Sequence, residues 1–222
     1  MTGTCGAWRC HRYSVRSIRI DEGRSVSPVW YSRDGASAAG WAVTARESDE
    51  HASGAVVEAA TSDAPVVWRS LAAARALIRV ETPELADAPP LWFVHVDEPR
   101  AVPRATNLVA FEGDDVPVGH VIDHYRFASL GVPSERQVGA IRWLVDTATV
   151  HQIFVDPERR RAHTGSALIY AADALHQSKG WRGALHSDGR RTDLGQFFVA
   201  AQRHPERFAA RTEVMPPMDP TG

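Results

Sequence analysis

The residues best suited to chemistry run from His151 to Ile169: His151-Gln152-Ile153-Phe154-Val155-Asp156-Pro157-Glu158-Arg159-Arg160-Arg161-Ala162-His163-Thr164-Gly165-Ser166-Ala167-Leu168-Ile169. An apolar run ends at a proline, a basic turn follows, and small residues then open an amphipathic stretch. Small residues let backbone approach a ligand closely. The first turn of a helix offers unpaired N–H groups that bind anions. Arg159, Arg160 and Arg161 place positive charge beside those donors, an arrangement that suits a pyrophosphate. The same residues would equally make a plain strand–turn–helix with a solvated basic turn. Strict alternation along the preceding strand sets Thr149, His151, Ile153 and Val155 on one face, and histidine is the residue type best suited to general-base work at neutral pH.

A second cluster reads His186-Ser187-Asp188-Gly189-Arg190-Arg191-Thr192. It follows a short strand, and ligands of layered α/β folds gather at the carboxyl ends of strands. Asp188 and Thr192 are also ordinary helix-cap residues. His120 and His124 stand four apart on an expected strand and could converge with His151. No Cys or carboxylate completes a metal spacing, so no metal is expected. Cys5, Cys10 and His11 are too incomplete for a zinc site and read as a surface thiol pair.

The elements that must position these groups are legible mainly in the second half of the chain. Leu91–Val96 and Leu108–Phe111 read as strands. The turn Glu112-Gly113-Asp114-Asp115 suggests a hairpin returning along Val116–Tyr125. A loop over Ala128–Gln137 leads to strands Ala140–Val145 and Thr149–Val155. Leu168, Ala171, Ala172 and Leu175 define a helix over Ser166–Lys179, capped by Thr164 and closed by Gly180. A short strand Ala184–His186 and a helix Thr192–Arg203, burying Phe197, Phe198 and Ala201, complete the pattern. Upstream, Val15–Ile20 alternates as a short strand. Trp68, Leu71, Ala72, Arg75 and Ile78 follow helical spacing, which predicts a helix over 66–80. Asp34–Ala64 is rich in Ala, Ser, Gly and acidic residues and reads as loosely ordered or linker-like. The expected organisation is a weakly patterned extension at 1–64, dispensable for the rest, then a domain at 65–214 and a tail at 215–222.

The composition of the 222 residues excludes several classes. With 44% hydrophobic and 23% charged residues the chain is of ordinary globular type. A net charge of −2 gives no general attraction to nucleic acid. No apolar run approaches the ~20 residues of a membrane span, and the N-terminus lacks a signal-peptide core. Two cysteines make no disulfide framework, so a cytoplasmic location is the expectation.

Val155-Asp156-Pro157-Glu158 followed by Arg160, His163 and Gly165 at a helix start resembles the acetyl-CoA motif of the GNAT acetyltransferase superfamily, Gln/Arg-x-x-Gly-x-Gly/Ala after a strand ending in Val-x-Pro. Leu108–Gly113 through Val118-Gly119 looks like the family's second and third strands, and the resemblance spans about residues 100–210. It implies an α/β fold of α+β layers, with a mixed, mostly antiparallel twisted sheet flanked by helices. It implies acetyl-CoA, or another acyl-CoA, as cofactor, held by Ile153, Phe154, Val155, Arg160, Arg161, Ala162, His163, Thr164, Gly165 and Ser166. His163 stands where the family has its first glycine, and Gln196, Phe197 and Phe198 stand where the last helix often carries an Asn and the Tyr that protonates the leaving thiolate. The implied activity is N-acyl transfer to a small-molecule or macromolecular amine. Its base often projects from the strand that holds His151, so His151 is the leading candidate, with Asp146 in the turn as rival. His186 and Ser187 are candidates to contact the acceptor or protonate the thiolate. Two other functions fit the same resemblance: a non-catalytic acyl-CoA-binding or interaction protein, and a nucleic-acid-modifying relative of Mom type, permitted by Arg159–Arg161 and Arg190-Arg191.

Overall fold

The computed structural model describes residues 27–216 except 38–39, 59 and 74–75. Strands β1 (Val29–Ser37) and β2 (Gly40–Glu47) form an antiparallel pair, and β3 (Val56–Glu58) lies parallel to β1 on its other side. Strands β4 (Val66–Ala73) and β5 (Ala76–Glu81) extend this into a five-stranded sheet of order β3-β1-β2-β4-β5. Strands β6 (Leu91–Glu98) and β7 (Ala105–Glu112) begin a second sheet. Strand β8 (Val121–Asp123) leads directly into helix α1 (His124–Leu130). Then come β9 (Gln137–Leu144), β10 (Thr149–Val155), helix α2 (Thr164–Ser178) and β11 (His186–Ser187). The second sheet has six strands, in the order β11-β10-β9-β7-β6-β8. The chain continues through β12 (Arg190–Arg191), helix α3 (Asp193–Ala200) and β13 (Glu213–Val214), with β12 and β13 paired in parallel. The fold is thus mixed α/β, with two large mixed sheets and three helices among the described residues.

The two sheets meet along one corner. Val80 donates its N–H to the Gly119 carbonyl at 2.9 Å, and Arg79 bridges His120. Gly119 has φ +77°, and a Cβ there would sit 2.3 Å from the Val80 carbonyl oxygen, so only glycine fits this crossing. Helix α2 lies between the sheets, packing on β7, β9 and β10 of one and on β2, β4 and β5 of the other. All 15 of its residues are buried, so the polar Asp173, His176 and Gln177 are enclosed along with the apolar stripe of Leu168, Ala171, Ala172 and Leu175. Leu168 and Leu175 pack with Trp143, Ile141, Leu108, Trp68, Val43 and Tyr31 in one continuous core. A smaller core, Trp92, Val94, Phe111, Val116, Ile122 and Val132, lies on the other face of the six-stranded sheet against Phe127 of α1.

Several expectations are corrected. The helix over 66–80 is the β4–β5 pair. Its register shifts between Leu71 and Ala72, which breaks strand alternation into something that reads as helical spacing. Asp34–Ala64 is no linker: it carries the rest of β1 and all of β2 and β3. Both Trp30 and Tyr31 are fully buried, so β1 buries both its faces and shows no clean alternation. Val116–Tyr125 does not return along β7. Its strand portion β8 runs parallel to β6 instead, and α1 begins where strand was expected, capped by Asp123 accepting the Arg126 N–H at 2.8 Å. The loop over 128–137 contains the end of α1, closed by Gly131 in the left-handed region at φ 66°. Helix α2 lies between sheets rather than flanking one. Phe197 and Ala201 are exposed and only Phe198 is partly buried. The expected strand at 15–20, Cys5, Cys10, His11 and residues 217–222 lie outside the described residues.

Candidate functional site

Strands β10 and β11 are parallel neighbours joined through α2, and their pairing stops early. Thr149 faces His186 and Val150 faces Ser187, after which β11 turns away. The Asp156 N–H bonds the Val138 carbonyl at 3.0 Å. By the alternation of an antiparallel ladder, Ile153 and Val155 therefore turn their N–H and C=O groups away from β9, toward the side β11 has left. Arg160 Nε takes the Val155 carbonyl at 3.1 Å. Beneath the start of this parting lies a cavity of about 20 Å³, room for roughly one water. Val150, Ile169, Tyr170, Leu185 and Phe208 are among its walls.

Between β10 and α2 the chain takes an unusual path. Asp156 closes a one-turn 3-10 helix by accepting the Glu158 N–H. Arg161 and His163 both adopt positive φ, 64° and 60°. Non-glycine residues rarely do so, and such strain concentrates at functional sites. His163 takes the backbone conformation that the glycine of the resembled motif would supply without strain. Arg160, Arg161 and His163 are exposed, Ala162 is half-buried, and the Arg161 and His163 side chains make no hydrogen bond to the described residues. Thr164 is not the cap: that position belongs to His163, and the Thr164 hydroxyl donates back to the Arg159 carbonyl at 3.1 Å.

The small residues opening α2 have a packing role. A Cβ on Gly165 would stand 2.8 Å from the Phe198 ring, and the Ser166 hydroxyl donates to Gln202 Oε1 at 3.2 Å. Thr164, Gly165 and Ser166 are buried, so the close approach at Gly165 is made by α3. The basic runs are also partly engaged within the fold. Arg159 pairs with Glu112 at 3.1 Å and Arg190 with Glu213 at 2.9 Å.

Strict alternation fails at His151. The β10 register shifts between Val150 and Gln152, leaving His151 in a β-bulge and reversing the faces beyond it. Val150, Ile153 and Val155 therefore face the core, while His151 is exposed. His151 is close enough to Glu98 to act on its ionisation. The Arg142 and Asn107 hydrogen bonds hold the Glu98 carboxyl below the usual range, and His151 adds a smaller effect in the same direction. His186 is exposed, with Nδ1 3.2 Å from the Ala184 carbonyl. Ser187 is half-buried, and its Oγ is enclosed with no partner among the described residues. His151 thus follows the last β10 residue paired with β11, where His186 and Ser187 stand, while Ile153, Val155 and the Arg160–Ser166 turn lie further along the chain. Phe154 stays half-buried in β10. His120 bridges Arg79 and His124 begins α1, so the two do not share a strand.

Two buried groups carry no obvious sequence signature. Asp173, fully buried in α2, accepts from the Tyr31 hydroxyl at 2.9 Å, Trp68 Nε1 at 3.3 Å and Arg207 at 3.1 Å. Burial pushes the Tyr31 phenol well above its usual range. Burial alone would lower Arg207, but Asp173 and Tyr31 outweigh it and raise it. Nearby, Arg203 pairs with Glu47 at 2.7 Å and with Glu84. Glu84 also accepts from the Tyr170 hydroxyl at 3.2 Å. Burial raises the Glu84 carboxyl, with Arg203 opposing. His204 is pushed down to about 4 by burial and by Arg207 and Arg203, and its Nε2 stands 3.8 Å from Glu47. Only Asp173 could have been suspected, as the single acidic residue of α2.

No convergent set of three His, Cys, Asp or Glu side chains suited to a metal occurs among the described residues. None of the three helices is long and apolar enough to cross a membrane. The chain matches no protein-family model, no curated protein and no solved structure.

Proposed function

We propose that the chain is an acyl-CoA-dependent N-acyltransferase, with acetyl-CoA as donor and an amine as acceptor. The observation that carries this reading is the β10–α2–β11 unit, two parallel strands that part after Val150 beside a helix start whose preceding turn is held at positive φ. The residues fit the coenzyme in two respects. The edge of β10 at Ile153 offers backbone donors and acceptors to a chain of amides. His163 and Arg161 hold the loop before α2 open, with an exposed guanidinium beside it. The coenzyme would supply an activated thioester.

The chain's own residues would then do the following. The Ile153 edge holds the donor's amides, and Arg160 and Arg161 balance phosphate charge. His151 accepts the proton lost by the amine, directly or through water, because an imidazole is neutral and basic near pH 7. Ser187 and His186 stand at the parting, where a proton must return to sulfur.

The test is calorimetry with CoA on wild type and Arg161→Glu, followed by turnover of His151→Gln. Arg161 is exposed and its side chain makes no hydrogen bond or ion pair with the described residues, so its reversal should leave the fold intact. A charge-assisted bond is worth about 1.5–3 kcal/mol, so CoA affinity should fall at least about tenfold. His151→Gln should lower turnover by roughly 10²–10⁴ without weakening CoA. No heat with CoA, or equal affinity in Arg161→Glu, overturns the reading. One contact favours a second reading, a non-catalytic protein that keeps this layout for assembly alone: Phe198 fills the space over Gly165. That reading predicts no CoA heat.

A further inference from the structure

Helix α3 rests over the start of α2 with little to hold it there. The first residues of α2, Thr164, Gly165 and Ser166, are buried, and the Phe198 ring of α3 occupies the space over Gly165. Ser166 donates to Gln202, just beyond α3, and Gln202 Nε2 donates to the Phe198 carbonyl at 3.2 Å. Yet none of the eight residues of α3 is buried. Leu194, Phe197 and Ala201, spaced as one helical stripe, face solvent, with Leu194 58% and Phe197 59% exposed. The larger apolar share of the helix therefore gains nothing from its position. So short a helix is marginal on its own, and segments with few buried contacts open locally at a fraction of the global stability. Both ends of the segment are fixed: β12 pairs with β13 before α3, and Arg207 is held by Asp173 after it. Between them Thr192–Arg203 is a strap, fastened by Arg203. That half-exposed side chain bridges two largely enclosed carboxylates, Glu47 at the end of β2, at 2.7 Å, and Glu84 in the turn after β5. Gln202, with His204 beyond it, also walls the 20 Å³ cavity beneath the parting of β10 and β11. That space holds about one water, so nothing larger reaches the underside of the parting while the strap is down.

We propose that the strap Thr192–Arg203 is a gate. It lifts from the start of α2, withdrawing Phe198 from Gly165 and Gln202 from the cavity wall, and the coenzyme enters while it is raised. Arg203 is the latch that sets how often it lifts. The gate rests on the coenzyme reading of the site, and it reconciles that reading with a helix start that α3 covers.

Amide hydrogen exchange of the full chain, read by NMR, tests the gate without a ligand. The amides of α3, with those of Gly165 and Ser166, should exchange faster than those of Leu168–Leu175. Arg203→Gln should speed both sets together by about fivefold or more, since one exposed ion pair is worth up to about fivefold and Arg203 makes two. CoA association, followed by stopped-flow, should speed by the same factor, because only the raised fraction binds. Amides of α3 that exchange no faster than Leu168–Leu175 overturn the gate. So do Gly165 and Ser166 amides that do not follow α3 in Arg203→Gln, and CoA that binds both proteins at one rate. CoA that gives no heat with either protein overturns the coenzyme reading instead, and the exchange rates alone then decide whether the strap lifts. The comparison of α3 with α2 is made in the wild-type chain, so it stands even if Arg203→Gln fails to fold.

Discussion

The two sheets grip the same helix by different means. The five-stranded sheet reaches α2 through a polar anchor, with Tyr31 of β1 and Trp68 of β4 both donating to Asp173 while Arg207 completes its charge. The six-stranded sheet holds α2 mainly by shape, through Leu108, Ile141 and Trp143 against Leu168 and Leu175, with no charged group among the described residues and one buried hydrogen bond, from Trp143 Nε1 to His176 Nδ1 at 3.2 Å. Apolar contacts tolerate exchange of similar volumes. A buried carboxylate with several donors accepts one register and punishes loss of any partner. The first sheet is therefore the rigid reference, while the second can afford an irregular edge at β10 and β11, where the candidate site lies.

The largest expected effect comes from removing the first sheet's share of the core. A chain lacking residues 1–64 loses β1, β2 and β3, with the buried Trp30, Tyr31 and Val43. It should show no cooperative thermal transition. A truncated protein that melts like the full chain would mean that the second sheet, with β4 and β5, holds α2 without β1–β3.

That experiment bears on what could be read from the residues alone. Strands β6, β7, β9 and β10 and helix α2 stand out because long apolar runs and a regular stripe survive in them. The first sheet hides because β1 buries both faces and β4 and β5 pair through a register shift. A single extra residue at His151 likewise reverses the face of everything after it, which no count of alternating residues can detect. The turn before α2 reads in the sequence as a candidate ligand loop, and its small residues give no sign that they seat Phe198, because that contact comes from over thirty residues away in sequence.

A smaller effect should separate the polar anchor from the apolar one. Asp173→Ala leaves the Arg207 guanidinium buried and unpaired and should cost about 3–5 kcal/mol. Leu168→Ala in the apolar grip should cost a comparable 2–5 kcal/mol or so. The double variant Asp173→Leu with Arg207→Met should recover much of the first loss but none of the second, measured by denaturant unfolding. A double variant no more stable than Asp173→Ala would show that the anchor does not act as a pair.

The smallest effect lies at the site itself. His163→Gly relieves a left-handed backbone and should raise stability by about 1 kcal/mol, with CoA binding no weaker. A destabilised variant would mean that the imidazole makes a contact that outweighs the strain.

The helix between the sheets also has a consequence for biosynthesis. Tyr31 and its partner Asp173 are 142 residues apart in sequence. At roughly 5–20 residues per second, the first strands leave the ribosome about 7–28 s before the residue that completes their inner face. During that interval Trp68, Val43 and Tyr31 have no helix to cover them. Newly made chains therefore pass through a window of exposed apolar surface, and a chaperone that binds such surface should be found on nascent chains stalled before α2 and absent from those stalled well after it.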